Sequence, residues 1–272
     1  MSLAGLMTRI QTEPIAMAPE YLAAILHTFE TLGEDALLGS SLAPPVNAPI
    51  KGDFEMFGTT AVLPIKGAIL KNPDDYDLRH GCCDVDVVRA MAEVAAADPR
   101  IERVLVQISS PGGSVLGVPE AGRALARLSE AKPTFAWTDT VMASAAYWFG
   151  SQARGVYMSD SARVGSIGVY SLFADASKGL EKFGITINAI QAGKFKLAGA
   201  FFKPMSDEER AHLQGSVDRI RDQFHTAVSA QRDLKKGSME GQTFTGEEAI
   251  ENGLADGIVS DLAEMLGIIE GA

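Results

Sequence analysis

Two rhythms of hydrophobic and polar positions run along this chain. VDVVRAMAEVAAA (85–97) repeats apolar residues at spacings of three and four, which predicts a helix stopped by Pro99. RVLVQIS (103–109) is an almost unbroken apolar run, the pattern of a strand covered on both faces. SVLGVPEAGRALARLSEA (114–131) predicts a second helix, regular from about Pro119. TTAVLPIKGAIL (59–70) reads as a strand or hairpin arm. PTFAWT (133–138), GVYMS (155–159), GSIGVYSLFA (165–174) and ITINAIQ (185–191) read as short β-rich runs. Between them lie a small-residue helix containing Ser144 and a helix near 175–183. Ser206 opens SDEE and Thr245 opens TGEE, both with the capping-box spacing, which predicts helices over about 207–232 and 246–252.

This alternation predicts an α/β fold with mostly parallel sheets. Toward the N-terminus, residues 18–33 carry a helical apolar spacing and residues 39–58 are rich in Pro, Ser and Gly. One helix cannot bury its own apolar face, so residues 1–57 are expected to be an arm and linker, and residues 58–272 the folded domain.

Composition narrows the function. Of 272 residues, 46% are hydrophobic and 22% charged, ordinary for a globular protein with a full core. No apolar run reaches the ~18–20 residues of a membrane span, and the N-terminus lacks the apolar core of a secretory signal, so a cytoplasmic protein is expected. The net charge of −11 argues against a broad nucleic-acid face. Cys82 and Cys83 are adjacent, a spacing that predicts two free thiols. His27, His80, His212 and His225 are scattered, so neither a zinc site nor histidine activation of a nucleophile is predicted.

Ligand chemistry in such folds gathers where strands end and helices begin. ISSPGGSV (108–115) follows a strand, and its two glycines remove the Cβ atoms that would block a close-approaching chain. Its backbone N–H groups can hold an anion or an oxyanion, though the same residues also make a plain strand-to-helix turn. TDTVMASAAYWFGSQA (138–153) sets Ser144 among alanines. Such a serine is either a small packing residue or a nucleophile, and a nucleophile needs a base within hydrogen-bond reach. QAGKFKLAGAFFKPMSDEER offers Lys194, Lys196 and Lys203 in a mostly apolar segment. A desolvated lysine can act as that base; a solvated one is only a surface charge.

Taken in order, SSPGGSV, DTVMASAAYWFGSQA, VGSIGV and AGKFK with a downstream PMSDEER resemble the signal peptide peptidase A family of serine peptidases, over about residues 58–260. The resemblance implies the fold shared by the Clp protease subunit and crotonase, a repeated β-β-α superhelix, here preceded by an N-terminal helical arm. It implies Ser144 as nucleophile and Lys196 as general base, 52 residues apart, with Lys194 as the fallback. It implies Gly113 and Ala145 as oxyanion donors. It also implies a substrate peptide lying along Gly165, Ser166, Ile167 and Gly168 by strand addition. Asp139 fits the family pattern as well, with helix capping the simpler role. The dyad needs no metal or other cofactor.

The family's single-domain members form rings, which implies a homo-oligomer acting on protein or peptide substrates, with no nucleic acid or membrane partner. MAPEYLAAILHTF resembles the phage and prophage branch, whose members cleave scaffold and capsid proteins during head assembly, in the host cytoplasm or the prohead. With Ala272 as the last residue, the scaffold-like extension that some of that branch carry is not expected here. Three other readings stand beside this one: a cytosolic bacterial relative that degrades peptides, an inactive structural component of a capsid precursor, and crotonase-like acyl-CoA chemistry. Intact Ser144 and Lys196 weigh against the second, and the GKFK motif has no place in the third.

Overall fold

The computed structural model describes residues 14–18, 55–79 and 81–271. The helix expected over 18–33 and the linker expected over 39–58 fall almost wholly outside the described residues.

A six-stranded sheet forms the centre. Its core is the parallel set β3 (Thr60–Lys66), β6 (Arg103–Ser109), β8 (Thr134–Thr138) and β10 (Gly155–Met158), edged by β2 (Glu55–Phe57) and β13 (Gly257–Ile258). Only β2 runs antiparallel within it. The middle positions of the parallel strands β3, β6, β8 and β10 are mostly apolar because both faces are covered there. On one face Leu63, Val104, Val106 and Ala136 join α2 (Val85–Ala97), α3 (Val118–Ala131) and α4 (Ala145–Gly150) in the main core. On the other, Val62, Leu105, Phe135 and Trp137 pack with Met265 and Ile269 of α8 (Leu262–Glu270).

Each major strand leaves this sheet at its carboxyl end, adds a short strand to a smaller sheet and then enters a helix. Thus β6 leads to β7 (Gly112–Ser114) and α3, and β8 leads to β9 (Val141–Ala143) and α4. Likewise β3 leads to β4 (Ile69–Leu70), followed by α1 (Asp75–Arg79), β5 (Cys83–Asp84) and α2. This is the expected β-β-α repeat, and its sheets are mostly parallel. The smaller sheets are β1-β7-β4-β5, where β1 is Ile15–Met17, and β12-β11-β9, where β11 is Arg163–Gly165 and β12 is Thr243–Thr245. Strand β1 thus belongs to the packed body: Ile15, Ala16, Met17 and Ala18 are all buried.

Several expectations hold closely. The helix over 85–97 and the strand over 103–109 have the predicted bounds. The reciprocal capping box at Ser206 is formed and opens α6 (Asp207–Ser229). Helix α5 (Ser177–Lys182) lies where a short helix was expected. Cys82 and Cys83 are both free thiols.

Others do not hold. Thr245 precedes α7 (Gly246–Glu251), but its side chain makes no capping hydrogen bond. ITINAIQ forms no strand; residues 185–191 are exposed and find no neighbouring strand to pair with. Of GSIGVYSLFA only Gly165 ends a strand, with an isolated bridge at Tyr170. Asp139 caps no helix: it is exposed in the bend between β8 and β9, and the residue preceding α4 is Ser144.

Candidate active site

The corners at which β6 and β8 leave the central sheet lie side by side. Ser110 bridges Met142 in parallel, the Ser110 N–H donates to the Val141 carbonyl at 2.8 Å, and the Ala143 N–H donates to the Ser110 carbonyl at 3.2 Å. The glycine loop and the serine loop are thereby fastened to each other.

Ser144 is the single residue between β9 and α4. It is 1% exposed and has φ 56° and ψ −122°. A positive φ in a residue with a Cβ costs of order 1–3 kcal/mol and persists only where the surroundings enforce it. Here the Ser144 N–H donates to the Gly165 carbonyl at 2.7 Å, and the Ser144 carbonyl accepts the Trp148 N–H at 3.0 Å. A strained strand-to-helix turn of this kind turns a serine side chain out of the sheet toward whatever faces it. Ala143, Ala145 and Ala146 are fully buried, so the small side chains do allow close backbone packing. The Ala145 N–H belongs to the first turn of α4, where no intrahelical acceptor exists.

What faces Ser144 is the glycine pair. A Cβ on Gly112 (φ 96°) would stand 3.0 Å from the Ser144 Cβ and 2.1 Å from the Ala16 carbonyl oxygen. A Cβ on Gly113 would stand 1.9 Å from the Ile69 carbonyl oxygen. Both positions therefore exclude any side chain. The Gly112 N–H is taken by the Ser110 hydroxyl at 3.2 Å. Gly165, Ser166 and Ile167 are buried, and Gly168 is half-buried. They lead from β11 to Tyr170, whose backbone pairs with Ile15.

The lysines separate into two kinds. Lys194 pairs with Glu208 and lies over the Phe195 ring, 5.6 Å from its centroid. Lys203 pairs with Glu209 at 2.5 Å. The Lys196 ammonium has no hydrogen bond or ion pair among the described residues, and the side chain is exposed. Within the single chain no hydrogen bond joins Lys196 to Ser144. The structure therefore brings Ser144, Ala145, Gly112, Gly113 and Gly165 together and leaves Lys196 on the exposed segment after α5. The contribution of residues 14–18 to this site was missed from sequence, because a three-residue strand carries too little pattern to be seen.

The helix that follows Ser144 is anchored by its large side chains. The buried Tyr147 hydroxyl donates to the Leu254 carbonyl at 2.9 Å, and burial pushes its ionisation upward. Trp148 stacks on Phe224 of α6 with ring centroids 4.7 Å apart. Among the described residues no helix is long and apolar enough to cross a membrane.

Comparison with known proteins agrees with the motifs. The chain is 28% identical over 268 residues to the capsid assembly protease C of Escherichia phage lambda, covering 91% of this chain and 61% of that protein. It is 29% identical over 210 residues to the head-tail preconnector protein GP5 of Enterobacteria phage P21, covering 76% of this chain and 42% of that protein. The chain thus spans less than two thirds of either relative. Among solved structures, a ClpP1 variant from Listeria monocytogenes matches with a TM-score of 0.44 at 12% identity, covering 75% of this chain and 94% of that one. The model of peptidase family S49 matches residues 126–264, about half of the sequence and the half that holds Ser144 and Lys196, and the chain belongs to that family.

Proposed function

We propose that this protein is a serine endopeptidase working through a Ser144/Lys196 dyad and acting in phage or prophage head maturation. The observation that carries the reading is the buried Ser144, held at φ 56° against the side-chain-free Gly112. The hydrogen bond to Gly165 holds that strained turn, and a strained strand-to-helix turn is the geometry that presents a nucleophilic serine.

The mechanism follows from the chemistry of the groups. A neutral Lys196 amine takes the Ser144 proton as the oxygen attacks a substrate carbonyl. The Gly113 and Ala145 N–H groups receive the oxyanion, and the lysine then donates to the leaving amine. Water, activated by the same amine, hydrolyses the acyl-enzyme. Lys196 is the candidate of choice because Lys194 and Lys203 are already committed to carboxylates.

A lysine is neutral near pH 7 only in dry surroundings. In one chain Lys196 is exposed, and so are Phe183 (83%) and Ile190 (102%) on the segment leading to it. A second copy covering this segment would bury those apolar groups and desolvate the amine together, which favours a homo-oligomeric ring. The phage relatives favour capsid or scaffold proteins as substrates, in the host cytoplasm or the prohead.

The test is cleavage of an unfolded protein by the wild type and three variants. Ser144→Ala and Lys196→Ala are expected to lose at least about a thousandfold in rate, and Lys194→Ala to retain most of it. Equal cleavage by all of them would remove the dyad. Loss in Lys194→Ala with survival of Lys196→Ala would shift the base by two residues. Cleavage of phage capsid and scaffold proteins, but not of unrelated folded proteins, is the expected sign of the head-maturation role.

A further inference from the structure

The groove between the glycine loop and the segment after Gly165–Gly168 is filled by the chain's own N-terminal segment. β1 pairs antiparallel with β7 in the register Ile15 to Ser114, Ala16 to Gly113 and Met17 to Gly112. The Val115 N–H donates to the Pro14 carbonyl at 3.3 Å, and the Ala18 N–H to the Pro111 carbonyl at 3.0 Å. In an antiparallel ladder hydrogen-bonded pairs alternate with non-bonded ones. With 14/115 and 18/111 bonded, the pair between them, 16/113, is bonded too, so the Gly113 N–H points at the Ala16 carbonyl. On its other edge Ile15 exchanges both backbone hydrogen bonds with Tyr170, at 2.8 and 3.0 Å. Residues 14–18 therefore lie as an added strand between the glycine loop and the segment that follows Gly165–Gly168.

This strand also runs past the serine. A Cβ on Gly112 would meet both the Ala16 carbonyl oxygen and the Ser144 Cβ. Ala18 packs on Val141 and Ala143, the residues leading into Ser144. Ala16 itself is fully buried.

We propose that the segment Pro14–Ala18 is bound in cis as a substrate of this site, and that the Ala16–Met17 bond is the one presented to Ser144 for self-cleavage. The proposal rests on the peptidase reading above. In the step, the Ser144 oxygen bonds to the Ala16 carbonyl carbon and its proton passes through the base to the Met17 nitrogen. The carbon–nitrogen bond breaks and Met17 leaves with a free amine. Water then cleaves the Ala16 ester, giving an Ala16 carboxylate and restoring the Ser144 hydroxyl. Until that happens the groove is closed to other peptides, and afterwards it is open to them. The same register predicts that substrates in trans carry alanine or another small residue before the cut.

The test uses the full chain. Wild type is incubated alone and mixed with a mass-tagged Ser144→Ala chain, and both are followed by intact mass and N-terminal sequencing, with cleavage of an unfolded protein measured in parallel. Expected is a new N-terminus at Met17 on the wild-type chain only, with the tagged Ser144→Ala chain left whole. Ile15→Pro removes the N–H that donates to Tyr170 and is expected to slow this cut about tenfold, the equivalent of one hydrogen bond. It is also expected to raise early cleavage in trans. Wild type that cleaves in trans while its Ala16–Met17 bond stays intact would overturn the proposal and leave the peptidase reading standing. A cut at another bond, or equal loss from the tagged chain, would overturn it as well. Absence of both cleavages would remove the proposal together with the reading beneath it.

Discussion

The Ser144 N–H and the Gly165 carbonyl meet at 2.7 Å, tying the turn after β9 to the end of β11. The bond matters because it holds Ser144 in a backbone conformation that a side chain disfavours. It links the element that carries the hydroxyl to the end of β11, so the two cannot drift apart without breaking it.

The backbone strain at Ser144 should be recoverable as stability. Ser144→Gly removes the Cβ that makes φ 56° unfavourable. It is expected to raise the unfolding free energy by about 1 kcal/mol while abolishing peptidase activity. Ser144→Ala keeps the Cβ and should abolish activity with a change in stability below about 1 kcal/mol. Urea denaturation of the three proteins checks both statements.

Gly113 should tolerate nothing larger. A methyl group there would stand 1.9 Å from a backbone carbonyl of β4, and backbone cannot swing aside as a flexible side chain can. Gly113→Ala is expected to cost about 2–3 kcal/mol or more through displacement of β7 from β4. Thermal unfolding would register it as a lowered midpoint, with peptidase activity lost in parallel.

Behind α4 an ion pair fixes the C-terminal part of the fold. Arg232, whose side chain is 8% exposed, grips both Asp256 carboxylate oxygens at 2.6 and 2.9 Å and also donates to the Gly253 carbonyl. Asp256 in turn accepts the Val156 N–H of β10 at 2.7 Å. Arg232→Ala removes these contacts from a carboxylate that is 40% exposed and can turn to water, and is expected to cost about 1–2 kcal/mol. Arg232→Lys should recover only part of this, because an ammonium cannot match the two-pronged contact. Chemical denaturation distinguishes the two variants.

The start of α6 should be sensitive to acid. Lys203, the Ser206 N–H and the Ser206 hydroxyl hold the Glu209 carboxyl below its ordinary pKa of 4.5. A carboxyl depressed on folding contributes stability above its unfolded pKa and loses it as the pH falls through the lower folded value. Stability is therefore expected to decline as the pH drops below about 4.5, and Glu209→Gln should flatten that part of the curve. Unfolding midpoints measured from pH 6 to pH 3 would show the difference.

Local physics was enough for much of this protein. The spacing in VDVVRAMAEVAAA, the unbroken apolar RVLVQIS and the reciprocal Ser206/Glu209 pair depend on interactions within a few residues, and each appears with its expected bounds or cap. The ordered motifs around Gly113, Ser144 and Lys196 likewise carried the family. Tertiary structure decided what depends on partners distant in sequence. ITINAIQ has the composition of a strand, but no strand stands beside it to take up its backbone hydrogen bonds. Ile15–Met17 has almost no pattern of its own and is a strand only because β7 and Tyr170 offer two edges. The positive φ of Ser144 is set by Gly165, twenty-one residues away, and no local preference would supply it. Propensity and capping act over one helical turn, whereas pairing, strain and the contents of a groove are decided by whichever chain the fold brings alongside.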